Sequence, residues 1–265
     1  MNYLNDQWKS TLETMGMQSF DDWWQLDAKA AEAPNTKAGD LAAWSKVSVI
    51  KAPNGKTIYV KRQQNFYPNN LLQKWRKELT FEREYVNYQK IRAAGIPTYE
   101  LVYFASRKQD GYRQAVYVAE GLEGLVSLEN IDRHWQKNGW PPKEDRRKLL
   151  RRVLQTVQEM HQKGILHNAL SPRHLFFNLS PDRPYEIPDE IDFRLIDFER
   201  LKDLKPNSDK GVTRDLFTLY RRGTNWPNSD RIWFLKQYLG IDKLDARAKA
   251  IIHRFIREAE RRRRR

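Results

Sequence analysis

Cysteine is absent from this 265-residue chain. Its absence excludes a disulfide framework, a thiolate nucleophile and a cysteine-ligated metal, and it fits a reducing compartment. Long apolar runs are absent as well, and none approaches the ~20 residues that cross a bilayer. The opening MNYLNDQWKS lacks a basic stretch followed by an apolar one, so it does not read as a secretory signal. A cytoplasmic chain, at most resting on a membrane surface, is the expectation. Acids are in deficit: 34 Asp and Glu stand against 48 Lys and Arg, for a net charge of +14. That surplus favours anionic partners such as nucleic acid, acidic membrane or a phosphorylated glycolipid, with a solvated basic surface as the plain alternative. What is present is a folding composition, with 40% hydrophobic and 12% aromatic residues. The length suffices for two modest domains or one two-lobed unit with a real core.

Along the chain, DQWKSTLETM and SFDDWWQLDAKAAEA read as short helices, with Asp21 and Asp22 at a helix start where exposed amides attract negative charge. Trp8, Trp23 and Trp24 are expected to pack these helices onto the main body rather than to touch a membrane. After the breaker-rich 34–40, the runs WSKVSVI and KTIYVKR flank Asn54-Gly55, a hairpin signal, so 44–62 reads as two antiparallel strands. QKWRKELTFEREYVNYQKIRAAG carries Phe81, Tyr85, Tyr88 and Ile91 at helical spacing and stops at Gly95 and Pro97. YELVYFASR and RQAVYVAEGL form a second hairpin around Asp110-Gly111. PPKEDRRKLLRRVLQTVQEMHQKG is a long helix whose stripe is Leu149, Leu150, Val153, Leu154, Val157 and Met160. Short strands follow in HLFFN and FRLIDF, then helices around 213–222, 229–239 and 243–260, then five arginines at 261–265.

Four features fall in an order that phosphoryl transfer needs. Lys61 lies on a strand after a hairpin and can place a point charge on nucleotide phosphates. Glu84 on the next helix can hold that lysine, with Glu82 as its competitor. The stretch LHNALSPRHLFFN follows a long helix and a glycine. Asp197 in RLIDFER ends an apolar strand, where an oxygen ligand suits Mg²⁺.

Together these features resemble the protein-kinase-like fold, and within it the lipopolysaccharide kinase group, the Kdo kinase/WaaP/InaA family. The strings that carry the resemblance are WSKVSVIKAPNGKTIYVKRQ, TFEREYVNYQKIRAAGIPT, LHNALSPRHLFFN, LIDFER, RDLFTLYRR and SDRIWFLKQYLG, over roughly residues 40–250. The helix running into GIPT, and RDL followed by SDR, point to the InaA branch. The resemblance implies an α+β, bilobal fold with a small antiparallel-sheet N-lobe, one main helix there, and a mainly helical C-lobe. It implies boundaries of 1–38 for an N-terminal helical extension, 39–120 for the N-lobe, 121–260 for the C-lobe and 261–265 for a basic tail. By the same resemblance Lys61 contacts the α/β-phosphates of ATP and Glu84 holds it. Residues 119–124, with Glu120 and Leu122, form the hinge at adenine. His167 braces the catalytic loop. His174 stands where ordinary kinases place a metal-binding asparagine, and Asp197 is the metal-binding aspartate, here in DFE. Asp215 is the buried aspartate that ties the loop to the next helix. The wager common to these roles is that Lys61 and Asp197 face one another across a cleft.

Two departures stand out. Ala169 occupies the place of the loop aspartate that orients the attacking hydroxyl and takes its proton. The segment GDLAAWSKVS is poor in glycine for a phosphate-covering loop, with Gly39 assisted only by the small Ala42 and Ala43. A positioned base contributes ~10²–10⁴-fold, whereas the loose phosphoryl-transfer transition state draws mainly on positioning and charge. His167, His174 and Asp192 are the candidates for a substitute base. The imidazole of His174 also shifts the metal from Mg²⁺ toward softer ions, with Mn²⁺ possible. The expected activity is ATP-dependent phosphorylation of a lipopolysaccharide core sugar or a related envelope glycolipid. The alternatives are a pseudokinase that binds nucleotide as an interaction module, and a binder of anionic surfaces. The arginine tail reads as contact with the inner-leaflet anionic membrane surface, peripheral on the inner membrane, or as a solvated tail. Nucleic acid is not an expected partner, because no reader motif is present.

Overall fold

A computed structural model describes residues 2–37, 40–68, 78–180, 182–183, 186–205, 209–223 and 226–263. Gly39 and the last two arginines lie outside the described residues. The chain divides into two compact units, one of residues 1–90 and 99–123 and one of residues 91–98 and 124–265.

The first unit is built on one antiparallel sheet. Its strands are β1 (Asn2–Leu4), β2 (Asn35–Lys37), β3 (Asp40–Lys51), β4 (Thr57–Gln64), β5 (Leu101–Gln109) and β6 (Tyr112–Glu120), in the order β1-β5-β6-β4-β3-β2. Both expected hairpins are present. Lys51 pairs with Thr57 around a turn in which Gly55 adopts φ 81°, and Gln109 pairs with Tyr112 around Asp110 (φ 51°) and Gly111 (φ 81°). Those left-handed values at both central residues match the right-handed twist of the strands. Strand periodicity then sorts the side chains. Ile58, Val60, Val116, Val118 and Tyr103 join Trp8, Leu12 and Trp23 in one core cluster, which places α1 (Lys9–Met15) and α2 (Phe20–Gln25) against that face. Lys61, Phe104 and Tyr117 meet the aromatic side chains of α3 (Thr80–Ala93): Phe104 stacks on Tyr85 at 4.2 Å.

Trp8 and Trp23 are buried and Trp24 packs on the same cluster, as their role in seating the helices requires. The second of these helices is shorter than the sequence pattern indicates. It begins with a capping box between Ser19 and Asp22 and ends at Gln25, where Leu26 turns to an extended backbone. The buried guanidinium of Arg62 is the reason. Its Nη1 donates to the carbonyls of Trp24 (2.8 Å) and Leu26 (2.8 Å), taking up the groups that a further turn would have used. Ala30 then bridges to Ser48 in extended form.

The second unit is mainly helical: α4 (Leu128–Asn138), α5 (Lys143–Gln162), α6 (Asp209–Arg222), α7 (Asn228–Leu239) and α8 (Ala246–Arg263). The α5 stripe of Leu149, Leu150, Val153, Leu154, Val157 and Met160 is buried as its spacing requires. Asp230, fully buried in the first turn of α7, pins that helix to α5 through Arg146 Nε (2.8 Å) and Arg147 Nε (3.2 Å). Short strands carry the loops: β7 (Val126–Ser127), β8 (Ile165–Leu166), β9 (Leu175–Phe177), β10 (Phe193–Leu195) and β11 (Lys202–Asp203). They form an antiparallel β10-β9-β7 sheet and a β11-β8 pair. No described helix is long and apolar enough to cross a membrane.

Candidate active site

In the first unit, β4 presents Lys61 to α3. Its Nζ lies 2.8 Å from Glu84 Oε1, and the glutamate is buried. Glu82, the competing acid, turns instead to Arg113 Nη2 and to the backbone amide of Leu79 at 2.9 Å, where it caps the start of α3. Glu84 also accepts from Tyr99 Oη at 3.4 Å, and Tyr99 in turn is hydrogen-bonded to Tyr117. The Tyr117 ring lies 5.2 Å from Lys61 Nζ, and burial holds its phenol well above the ordinary tyrosine value. The lysine is therefore oriented by the Glu84 carboxylate and the faces of Tyr117 and Phe81, and it keeps partial exposure (28%) through which an anion can reach it. At the end of β6, the Glu120 amide bonds to Glu100 O and its carboxylate to Lys56 Nζ, both spent within the unit. Gly121 N donates to Thr57 O at 2.8 Å, and its tight fit against Tyr59 and Thr57 leaves little room for a Cβ. Leu122 is half-buried, and its backbone amide has no partner among the described residues. Glu120 and Leu122 thus differ: only the second has an amide available to a ligand edge.

In the second unit, the stretch LHNALSPRHLFFN forms β8, a loop, a short 3-10 turn at Pro172–His174 and β9. The loop is held from beneath by Asp215 on α6, which is buried. Its two oxygens accept from the amides of His167 (2.8 Å) and Asn168 (2.7 Å), and His161 Nε2 approaches the first oxygen at 3.3 Å. Asn168 has φ 59°, a left-handed conformation that asparagine tolerates, and its side chain donates to Arg200 O at 3.1 Å. His167 is fully buried. Its Nε2 donates to Ile196 O at 3.0 Å, while Nδ1 has no hydrogen-bond partner among the described residues. Burial pushes this imidazole below its ordinary value, against the opposing pull of Asp215. His167 joins the loop to β10 and packs on Phe198 and His174, with ring centroids 5.9 and 5.8 Å away.

His174 Nδ1 lies 3.0 Å from the carbonyl of Ala169, an acceptor only, so Nδ1 carries the proton. The Arg173 Nε–H directed at Nε2 makes that nitrogen an acceptor. That atom accepts from Arg173 Nε at 2.9 Å and lies 3.0 Å from Asp197 Oδ2. Asp197 lies two residues past β10 and adopts φ 68°, uncommon for a residue with a Cβ and frequent where a side chain must be aimed. A lone pair and a carboxylate oxygen 3.0 Å apart are two acceptors facing each other. Ligands at right angles in an octahedral shell with bonds of about 2.1 Å stand about 3.0 Å apart. The donor set of one imidazole and one carboxylate therefore fits a divalent cation of borderline character, with remaining positions left to phosphate and water. Among the described residues there is no group of three or more metal-ligating side chains, so the protein supplies a pair and not a cage.

Ala169 is half-buried and brings no acid. Neither His167 nor His174 offers a substitute, since every ring nitrogen is either bonded, committed to Asp197 and Arg173, or buried. Asp192 is engaged with Arg194 Nη1 at 3.1 Å. Arg173 escaped the sequence reading, although a basic side chain directly before His174 was a visible signal. The second unit also holds an apolar cavity of about 300 Å³, lined by Leu150, Leu219, Phe234, Ile252, Phe255 and Ile256 among others.

Known proteins place these features in context. The chain is 26% identical over 206 residues to the lipopolysaccharide core heptose(I) kinase WaaP of Escherichia coli, which covers 72% of this chain and 76% of that protein. Its fold matches the solved structure of WaaP in complex with acyl carrier protein, with a TM-score of 0.70, 19% identity and 98% of both chains covered. The fold is thus the mixed α/β, protein-kinase-like one. Residues 21–238 match the lipopolysaccharide kinase (Kdo/WaaP) family, and the chain belongs to that family.

Proposed function

We propose that the protein transfers the γ-phosphoryl group of ATP to a hydroxyl of a lipopolysaccharide core sugar or a related envelope glycolipid. The observation that carries this reading is the pairing of His174 Nε2 with Asp197 Oδ2 at 3.0 Å on a loop braced by Asp215. A divalent cation, Mg²⁺ or Mn²⁺, held by that pair would neutralise phosphate charge. Lys61, set by Glu84, binds the α/β-phosphates, and the Leu122 backbone meets adenine. His167 keeps the loop and β10 in register. With Ala169 in place of an acid, no side chain takes the hydroxyl proton at the start of the reaction. In a loose transition state that proton leaves late and can pass to an oxygen of the transferred group, so positioning and charge carry the rate.

The test is phosphate transfer from ATP to purified core lipopolysaccharide with Mg²⁺ or Mn²⁺. Turnover that disappears in Asp197→Ala supports the reading. Ala169 favours one rival, a pseudokinase, and its mark is a nucleotide-dependent rise in Tm without turnover in any acceptor preparation.

We also infer two partners. The apolar cavity is suited in size and lining to an acyl chain, and the similar WaaP structure is a complex with acyl carrier protein. Acylated acyl carrier protein should copurify or bind, and Phe255→Glu should abolish that binding. The basic face of α8, with exposed Arg247, Lys249, Arg254, Arg257 and Arg261, is suited to the anionic inner-leaflet surface, as is the arginine tail. Vesicle flotation that depends on anionic lipid and falls on deletion of 261–265 is the expected result.

A further inference from the structure

The Nε2 atom of His174 is claimed twice. One lone pair accepts from Arg173 Nε at 2.9 Å, and the same atom lies 3.0 Å from the Asp197 carboxylate. Arg173 Nε–H is directed at Nε2, so in this arrangement that atom turns its lone pair to Arg173 and carries no proton toward Asp197. The positive charge of Arg173 is what makes a lone pair opposite a carboxylate tolerable. Arg173 is exposed, and among the described residues its Nη1 and Nη2 have neither a hydrogen bond nor an ion pair. Among the described residues its side chain bonds to the one atom that a cation would need.

We propose that Arg173 is a resident competitor for the cation position. It occupies the His174 lone pair in the metal-free protein and gives that nitrogen up when a divalent cation joins His174 to Asp197. The released guanidinium then binds phosphate charge beside Ala169. The inference rests on the cation reading given above and adds the exchange of one positive group for another. The chemistry favours it on three counts. Guanidinium is a weaker claimant for an imidazole lone pair than a divalent metal ion. It is always charged, so the guanidinium itself neither gains nor loses a proton in the exchange. Once free, its planar fork matches two phosphate oxygens. A loop that has lost its acid thereby presents a cation to the transferred group, and charge neutralisation is the larger part of phosphoryl-transfer catalysis. Arg173 is in this sense a positioning residue for the cation and a phosphate ligand afterwards.

The experiment uses the full chain and Mn²⁺ alone, with free Mn²⁺ counted by its electron paramagnetic resonance signal. His174→Ala and Asp197→Asn should each weaken Mn²⁺ binding at least about tenfold. Arg173→Met should tighten it at least about fivefold, because a competing unit charge is removed. The same variant should bind ATP more weakly when Mn²⁺ is saturating. In the wild type, the Arg173 Nε–H resonance should move on addition of Mg²⁺, and this measurement needs no variant to fold. Arg173→Met binding Mn²⁺ no more tightly than the wild type, while the other two variants bind weakly, overturns the exchange and leaves the cation pair standing. An Arg173 resonance indifferent to saturating Mg²⁺ does the same. If His174→Ala and Asp197→Asn bind Mn²⁺ as well as the wild type, the cation reading falls and the exchange falls with it.

Discussion

Asp215 and His167 are joined through the backbone: one carboxylate oxygen accepts the histidine amide at 2.8 Å, and the other takes the next amide, that of Asn168, at 2.7 Å. The contact fixes the chain and not the imidazole, so the loop's shape is independent of what its side chains bind. Asp215→Asn turns an NH₂ toward one of those amides. It should destabilise the protein by about 2–3 kcal/mol, the scale of a lost hydrogen bond to a buried charge. Urea denaturation should show a lower midpoint at unchanged slope, and the His167 and Asn168 amides should exchange faster.

Ala169 is half-buried, and its carbonyl is bonded to His174 Nδ1. Ala169→Asp should raise kcat toward the lipopolysaccharide acceptor by ~10² or more, the contribution of a placed base. Steady-state phosphate transfer measures it. An unchanged rate would show that proton removal does not limit the proposed transfer.

Arg62 is buried and hydrogen-bonded to the carbonyls that close α2. Arg62→Met fills similar space but leaves those carbonyls without donors. The expected loss is ~2–4 kcal/mol, from buried acceptors at ~1–3 kcal/mol each. Guanidinium chloride unfolding checks the loss, and near-ultraviolet circular dichroism should report loosening around Trp23 and Trp24.

Tyr103 is buried against Trp23, and desolvation pushes its phenol up to about 12 from an ordinary 10.0, with the Asp22 carboxylate adding to the rise. The folded chain therefore holds this proton more tightly than the unfolded chain does. The stability that it contributes is complete below about pH 10 and is lost as pH rises through about 12. Melting temperature measured from pH 9 upward should fall less steeply in Tyr103→Phe than in the wild type, and the absorbance titration of tyrosinate should lose its late step.

Local signals accounted for much of this fold. Gly55 and the Asp110-Gly111 pair supply the left-handed φ that their turns use, and the α5 stripe is long enough to be unambiguous. The elements that the sequence reading did not find are of two kinds. β1 and β2 are three-residue strands set by pairing with β5 and β3, a tertiary contact with no local pattern. α4 did have a pattern, since Leu128, Ile131 and Trp135 share a helical face and Ser127 caps it, but the segment is short, polar and bounded by Gly124 and Gly139. At the site, the preference of Lys61 for Glu84 over Glu82 was undecidable locally. It is settled by Arg113, which arrives from β6 and occupies Glu82. Arg173 was passed over because exposed arginines are common in so basic a chain. Only the lone pair of its neighbour marks it.

Residues 61 and 62 are consecutive on β4, and the pleat sends them to opposite sides: one to Glu84, the other to the end of α2. Recombinant versions that discard the first 26 residues as an appendage would strip β5 of its edge partner and strand a guanidinium in an open apolar face. The damage would surface one residue away, as a misplaced ammonium group and weakened nucleotide affinity. Such a truncation would then be misread as evidence against the ATP binding proposed above.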